Sequence, residues 1–460
     1  MSMTRIWWNT QQLKSKNAET RRLAVEKLAE APIEEALDIL MPMLQDEGSQ
    51  VRLAAVRALA RFKDTRALPP LIQALRDANG EVREAVVIAL MQFGDSSCVE
   101  ILVGALRDVH PAVRQRAAKA LDGFGWQPSN DVQKVHRYAA LGEYLHAAVL
   151  GAPALDTLLS ALRDPHCPNR RMVVEALGQI GDERVLKPLT AALRDPDPHV
   201  RVAAVEALGT IQDPRSADPL NGALRDSDHW VRATAANALG KLTDSGSLAR
   251  LAGSLTDKNW SVRKAAVESL GRLKDSRGVE SLTALIRDPD HDVREAVVDA
   301  LGQIRDPGAV EHLIIALTDT QSSIRHAAAG VLRKLDPDWE RSDAAQRAIP
   351  GLKTAMTSKE YWVRQAAADT LAKLSDMPKV EPNLNAFTDP VYYKKTAALQ
   401  ALAQALTDWD RDLRLAAAEA LGRLSDPRAI PSLSVALQDA DDYVRAGAQA
   451  ALRKLGWQAC

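Results

Sequence analysis

Histidine, cysteine and carboxylate side chains are the groups in this 460-residue chain that could hold a metal or attack a substrate. Of the nine histidines, His110, His166, His199, His229 and His291 stand two to four residues before an arginine that recurs along the sequence. A zinc or iron centre needs at least three donors converging on one ion at about 2 Å each. Donors that fall one to each repeated turn are a whole layer apart. The expectation is therefore polar turn residues, with His166-Cys167 the one local pair worth a metal test. Cys98 falls near the start of a helix, where a thiol pKa can be lowered, yet a packing role is the preferred reading. No Gly-rich phosphate loop, GxSxG elbow or HExxH is present. Catalytic, cofactor and metal residues are accordingly assigned as none. The cysteines Cys98, Cys167 and Cys460 are far apart and form no CxxC, which fits a reducing compartment rather than a disulfide framework.

A repeat positions these side chains. The arginine recurs at Arg21, Arg52, Arg83, Arg114, Arg170, Arg201, Arg232, Arg263, Arg294, Arg325, Arg364, Arg414 and Arg445, and nine of the twelve intervals are 31 residues. The other three, of 56, 39 and 50 residues, imply insertions of 25, 8 and 19. Six residues before the arginine lies an aspartate in eleven of the last twelve units, with Ser358 the exception. Twelve residues after it a second aspartate recurs at Asp64, Asp95, Asp182, Asp213, Asp244, Asp275, Asp306, Asp376 and Asp426. In Asp213-Pro214, Asp306-Pro307 and Asp426-Pro427 the carboxylate can cap free N–H groups and proline suits the first helical position.

Each unit reads as two helices. The first resembles VLKPLTAALRD, with Pro70, Pro188 or Pro219 expected to kink it. The second resembles VRVAAVEALGTI, with apolar or small residues at −1, +2, +3, +6, +7 and +10 from the arginine and an exposed stripe at +1, +5 and +9. One such pair cannot bury its apolar face, so stacked neighbours must supply the core. The fold class is all-α: an α-solenoid of about thirteen two-helix repeats of 31 residues, with insertions. The segments are 1–125, an inserted helical segment 126–150, 151–335, and an irregular 336–460.

Composition agrees. The chain is 46% hydrophobic and 4% aromatic and balances 59 Lys+Arg against 60 Asp+Glu, which excludes a disordered chain and a globally basic nucleic-acid binder. No stretch approaches the roughly 18 apolar residues of a membrane span, and MSMTRIWWNTQQ lacks an uninterrupted apolar h-region. A soluble, cytoplasmic protein without membrane contact is expected.

An aspartate followed six residues on by Val-Arg, within a two-helix unit, resembles the HEAT repeat. The 31-residue form with ALG, I/L-x-D-P and LRD looks like the short bacterial HEAT-like subtype first associated with phycobilin lyases. That resemblance implies a structural ladder between layers built from Asp195, Arg201, Asp226, Arg232, Asp257, Arg263, Asp288 and Arg294. It also suggests two enzymatic alternatives. A di-iron hydroxylase of the deoxyhypusine type would carry His-Glu dipeptides at the start of inner helices; none of the nine histidines is followed by glutamate, and the matching positions hold Glu84, Glu295 and His326, each alone. That activity is disfavoured. A bilin-lyase-like role in chromophore attachment rests on the subtype resemblance only.

Aromatics point to a binding surface. Trp230, Trp362 and Tyr443 at −2, Trp260 and Tyr361 at −3 and Trp409 at −5 lie in the turn entering the second helix, where large exposed rings make good contacts. Together with His326, Gln365 and Asp369 on the stripe, and Tyr392 and Tyr393 beside Phe387 in an expected long loop of the last insertion, they are the candidate partner-binding residues. At +9 the column Lys241, Arg272, Gln303, Lys334, Lys373, Arg423 and Lys454 is basic enough to attract phosphate. The expected reading is helix stabilisation, through the macrodipole and through Glu268, Asp369 and Glu419 four residues earlier. In the 25-residue insertion an amphipathic helix is expected from Val132 to about Leu150. The function expected is a non-catalytic protein-interaction scaffold, with no cofactor, an unidentified protein partner and an oligomeric state the sequence leaves open; nucleic-acid backbone binding is a second alternative.

Overall fold

The computed structural model describes residues 3–165, 167–242, 246–375 and 390–457. Among these every regular element is a helix. The chain forms two compact units, Met1–Ile211 and Gln212–Cys460, and each is a stack of two-helix layers.

One layer shows how the sequence writes the structure. Asp64 accepts the Arg66 N–H at 2.9 Å and starts a 3-10 turn, Thr65–Ala67, which runs straight into the helix Leu68–Ala74. The prolines expected to kink this first helix do not do so. Pro70, Pro188 and Pro219 all fall in the first turn of a seven-residue α-segment, where a missing N–H costs no helical bond. The chain then turns through two successive aspartate or asparagine caps. Asp77 accepts the Asn79 N–H at 2.8 Å, and Asn79 accepts the Glu81 N–H at 2.8 Å, opening the second helix Gly80–Phe93. Asp257 and Asn259 repeat this ahead of Trp260–Leu273. The N-cap of the second helix is thus the residue four before the arginine, and the aspartate six before it organises the turn.

Second helices stack on one another through small residues. Val200, Ala203, Ala204, Ala207 and Leu208 of Pro198–Ile211 are buried, and each fully covered Leu or Val contributes about 1.5–3 kcal/mol. Glycine at +8 is where neighbours come closest. A Cβ on Gly178 would lie 2.6 Å from the Ala207 Cβ, one on Gly240 2.5 Å from the Ser269 Cβ, and one on Gly422 2.7 Å from the Ala451 Cβ. Several second helices end in a left-handed residue, with φ 68° at Gly94 and 67° at Gly181, but also 52° at Lys274 and 47° at Ser425.

The first insertion departs from the single helix expected. A helix Asp131–Leu141 stops at Gly142, whose φ of 78° lets its N–H reach the Tyr138 and Ala139 carbonyls, and a second short helix follows, Tyr144–Ala148. The longer helix packs beside Ala152–Arg163 and the shorter one beside Arg170–Ile180. The insertion is a shortened two-helix layer in its own right. The eight-residue interruption is used differently: Trp339 is buried in a 3-10 turn, and the next first helix lengthens to Asp343–Met356 with Pro350 inside it.

Candidate functional site

Between layers runs a ladder of charge. The arginine of one layer reaches the aspartate 25 residues ahead: Arg52 clamps Asp77 at 2.6 and 2.8 Å, Arg83 clamps Asp108 at 2.7 and 2.7 Å, Arg232 clamps Asp257 at 2.7 and 2.9 Å, and Arg263 clamps Asp288 at 2.7 and 2.7 Å. Each guanidinium uses its third nitrogen on the backbone carbonyl six residues behind it, as when Arg201 donates to Asp195 O at 2.9 Å and Arg232 to Asp226 O at 2.9 Å. Asp195 accepts Arg170 at 2.9 and 3.1 Å, and Arg294 reaches Asp319 at 2.6 and 3.0 Å. Planar two-pronged pairs of this kind fix orientation as well as charge. Burial alone would raise the Asp77 carboxyl, but the Arg52 guanidinium and the Asn79 N–H outweigh it and hold the group below the ordinary carboxylate range.

Three rungs are irregular among the described residues, one of them at the last insertion, where Arg364 reaches Asp410 through a single nitrogen at 3.1 Å. Where the shortened layer intervenes, Arg114 touches Asp164 through one nitrogen at 3.2 Å. At Ser358 the aspartate is missing, and among the described residues the Arg325 side chain bonds only the Asp319 and Thr320 carbonyls, at 2.7 and 3.1 Å. Cavities of about 530 Å³ and about 570 Å³ open at these last two places, the first lined by Arg114 and Asp164, the second by Asp319, Thr320 and Ser358.

At the entrance to the second helices of Gln212–Cys460 stands a row of exposed rings. Trp230 is 62% exposed, Trp260 43%, Trp362 64% and Tyr443 68%. Tyr361 and Trp409 are exposed in the same turns. Their ring contacts are local: His229 lies 5.2 Å from Trp230, Tyr361 packs edge-on to Trp362 at 5.0 Å, and Arg411 sits over Tyr443 at 5.9 Å.

The repeat pattern decides the family. The HEAT-repeat family matches residues 8–78, 68–135, 130–200, 155–240, 186–259, 249–333 and 391–453. The chain belongs to the HEAT-repeat family. Solved structures similar to this HEAT array include the complex of CpcE and CpcF of phycocyanin lyase from Nostoc, at 23% identity over 54% of this chain and 92% of that one, TM-score 0.31. Kap95p bound to RanGDP is similar at 14% identity over 99% and 73%, TM-score 0.36, and human deoxyhypusine hydroxylase at 22% identity over 63% and 99%, TM-score 0.26. No partner or substrate follows from these likenesses. Comparison with curated protein sequences finds no match.

Other sequence candidates fall at various places in the HEAT layers. His326 is exposed and bonds the Ser322 carbonyl through Nδ1 at 2.7 Å. Gln365 and Asp369 are half-buried and hydrogen-bonded together at 3.2 Å, and Asp369 is further tied to Arg423 of the next layer. Asp369 therefore pairs across layers rather than with Lys373. Arg272 likewise turns from Glu268 to Asn237 at 3.0 Å and Ser269 at 2.6 Å, whereas Glu419 lies 3.8 Å from Arg423 as its spacing suggests. Glu84 holds Arg116 at 3.0 Å, and Glu295 lines a shallow polar groove of about 330 Å³ with Lys264, Glu268 and Asp299. Tyr392 and Tyr393, expected in a loop, instead belong to the helix Pro390–Ala405, but their side chains lie outside the described residues, as do Phe387, His166, Asp244, Asp376 and Cys460. Cys98 is fully buried; burial, with Asp95 beside it, pushes its thiol pKa up, which removes the activated-thiol alternative. Among the described residues no three His, Cys, Asp or Glu side chains come together as metal ligands, and no helix is long and apolar enough to cross a membrane.

Sequence reasoning missed the loosened Arg114 rung and its cavity. The 56-residue interval marked the place, but only packing shows that the inserted helices form a short layer.

Proposed function

We propose that this HEAT array is a non-catalytic scaffold that holds a protein partner along the edge where its second helices begin, within Gln212–Cys460. The observation carrying this reading is the exposure of Trp230, Trp260, Trp362 and Tyr443, three of them, Trp230, Trp260 and Tyr443, on doubly capped turns. Burying such rings in a partner adds apolar area with little loss of side-chain freedom, which is why Trp and Tyr dominate interface energetics. A soluble cytoplasmic setting suits the reading. Backbone binding to nucleic acid is less well supported, because Arg272 and Arg423 of the +9 column are engaged within the protein.

The test is affinity capture with the full chain, followed by titration of each captured partner. Trp230→Ala combined with Trp362→Ala should weaken the specific partner at least tenfold while helicity is unchanged. A partner bound equally well by the double variant would place the interface elsewhere.

A further inference from the structure

The cavity beside the shortened layer has the make-up of a small-molecule site. It is about 530 Å³ and sits among Leu106 and Val109 of one turn, the helix Asp131–Leu141, Tyr144, and the helix Ala152–Arg163. Ligand pockets are typically of this size, with apolar walls and a few convergent polar groups. The space exists because the layer's second helix has five residues where regular ones such as Gly80–Phe93 have 14, so that part of the layer is left unfilled.

Its lining carries three arginines against three aspartates, one of which, Asp108, is neutralised from outside the lining by Arg83. Arg107, Arg114 and Arg163 line it, together with His136 and the hydroxyls of Thr157 and Ser160. Of the carboxylates in the wall, Asp108 is clamped by Arg83 and Asp164 is bonded by Arg114, while Asp156 is exposed. Arg107 and Arg163 are exposed and make no ion pair among the described residues. Arg114 makes one carboxylate contact at 3.2 Å where Arg83 makes two at 2.7 Å, so among the described residues its Nε–H lacks the acceptor that the regular rungs provide. Burial and the Arg107 charge lower the His136 pKa, so its ring is neutral near pH 7 and can donate or accept one hydrogen bond. Tyr144, which is buried, closes the inner end with its hydroxyl 3.6 Å from Cys167 Sγ.

We propose that this cavity binds a small organic anion, one phosphate or carboxylate group on an apolar body, with Arg107, Arg114 and Arg163 meeting the charge and Leu106, Val109 and Ala139 the apolar part. Arginine forks match both oxyanion geometries, so the experiment must separate them. The full chain is titrated with phenyl phosphate, benzoate and uncharged benzyl alcohol, following the His136 ring resonances and heat. At least one anion should bind and shift His136; binding by one alone names the preferred group. Arg107→Ala with Arg163→Ala should weaken that binding at least tenfold without altering helicity, since both side chains are exposed and unpaired. Should the double variant fail to fold, the His136 shift in the wild-type chain still decides. No binding of either anion, equal binding of benzyl alcohol, or undiminished binding by the double variant would overturn the proposal.

Discussion

A single side chain separates a regular layer joint from a faulty one. In the joint between Arg263 and Asp288 the two side chains are 12% and 3% exposed, so deleting the arginine strands a carboxylate with little beyond the Asp290 N–H at 2.9 Å to satisfy it. Arg263→Ala should lower stability by about 3 kcal/mol, most of it the cost of the charge left behind. The opposite experiment exists in the same unit. Ser358 occupies the aspartate position ahead of Arg325 and already accepts the Glu360 N–H at 3.2 Å, the turn contact an aspartate would make. Ser358→Asp should supply the missing acceptor and raise stability by about 1 kcal/mol, a gain limited by solvent and side-chain ordering. Chemical denaturation of the two variants checks both signs. A stabilising Arg263→Ala would mean the ladder orients layers without holding them together.

At the scale of the helix, the 31-residue period made the second helices and their buried face legible, because apolar spacing and a recurrent arginine report the same register. The cap position was harder to read. Aspartates at −6 and −4, as in Asp195 and Asp197, look equivalent in sequence, and only the turn geometry makes the later one the N-cap. The main demand on the glycine at +8 is interhelical. Ser269 donates to the Ala236 carbonyl at 3.0 Å and receives Arg272 at 2.6 Å, so it cannot swing away from a new methyl on Gly240. Gly240→Ala should therefore cost about 1–3 kcal/mol through overpacking, although alanine is the better helix former by about 1 kcal/mol. Gly330 in Ser322–Leu335 meets nothing within 4 Å, and there alanine should stabilise by about 0.5–1 kcal/mol. Melting temperatures that moved the same way for both variants would refute the interhelical role.

Across each unit the main contacts among the described residues run between neighbouring layers, so stability accumulates joint by joint, and the acid response should follow the carboxylates those joints share. Burial alone would raise Asp46, Asp77, Asp108 and Asp257, yet Arg21, Arg52, Arg83 and Arg232, with backbone N–H groups, hold all four below the ordinary range. For Asp439 the Arg414 bond is the largest influence and acts in the same direction. A carboxyl whose folded pKa is depressed contributes fully above its unfolded value of about 3.9 and loses that contribution as pH falls toward the folded value. The unfolded chain binds more protons in that window, so unfolding takes up protons. Stability should thus be nearly flat from about pH 8 to 5 and fall below about pH 4, because these five carboxylates lose their contribution over the same interval. The thirteen-fold arginine spacing anticipated this concentration of charge, and the balanced totals of 59 and 60 hide it. Denaturant midpoints measured from pH 8 to 3 give the test: a chain as stable at pH 3 as at pH 7 would show that the paired carboxylates are as acidic when unfolded as when folded.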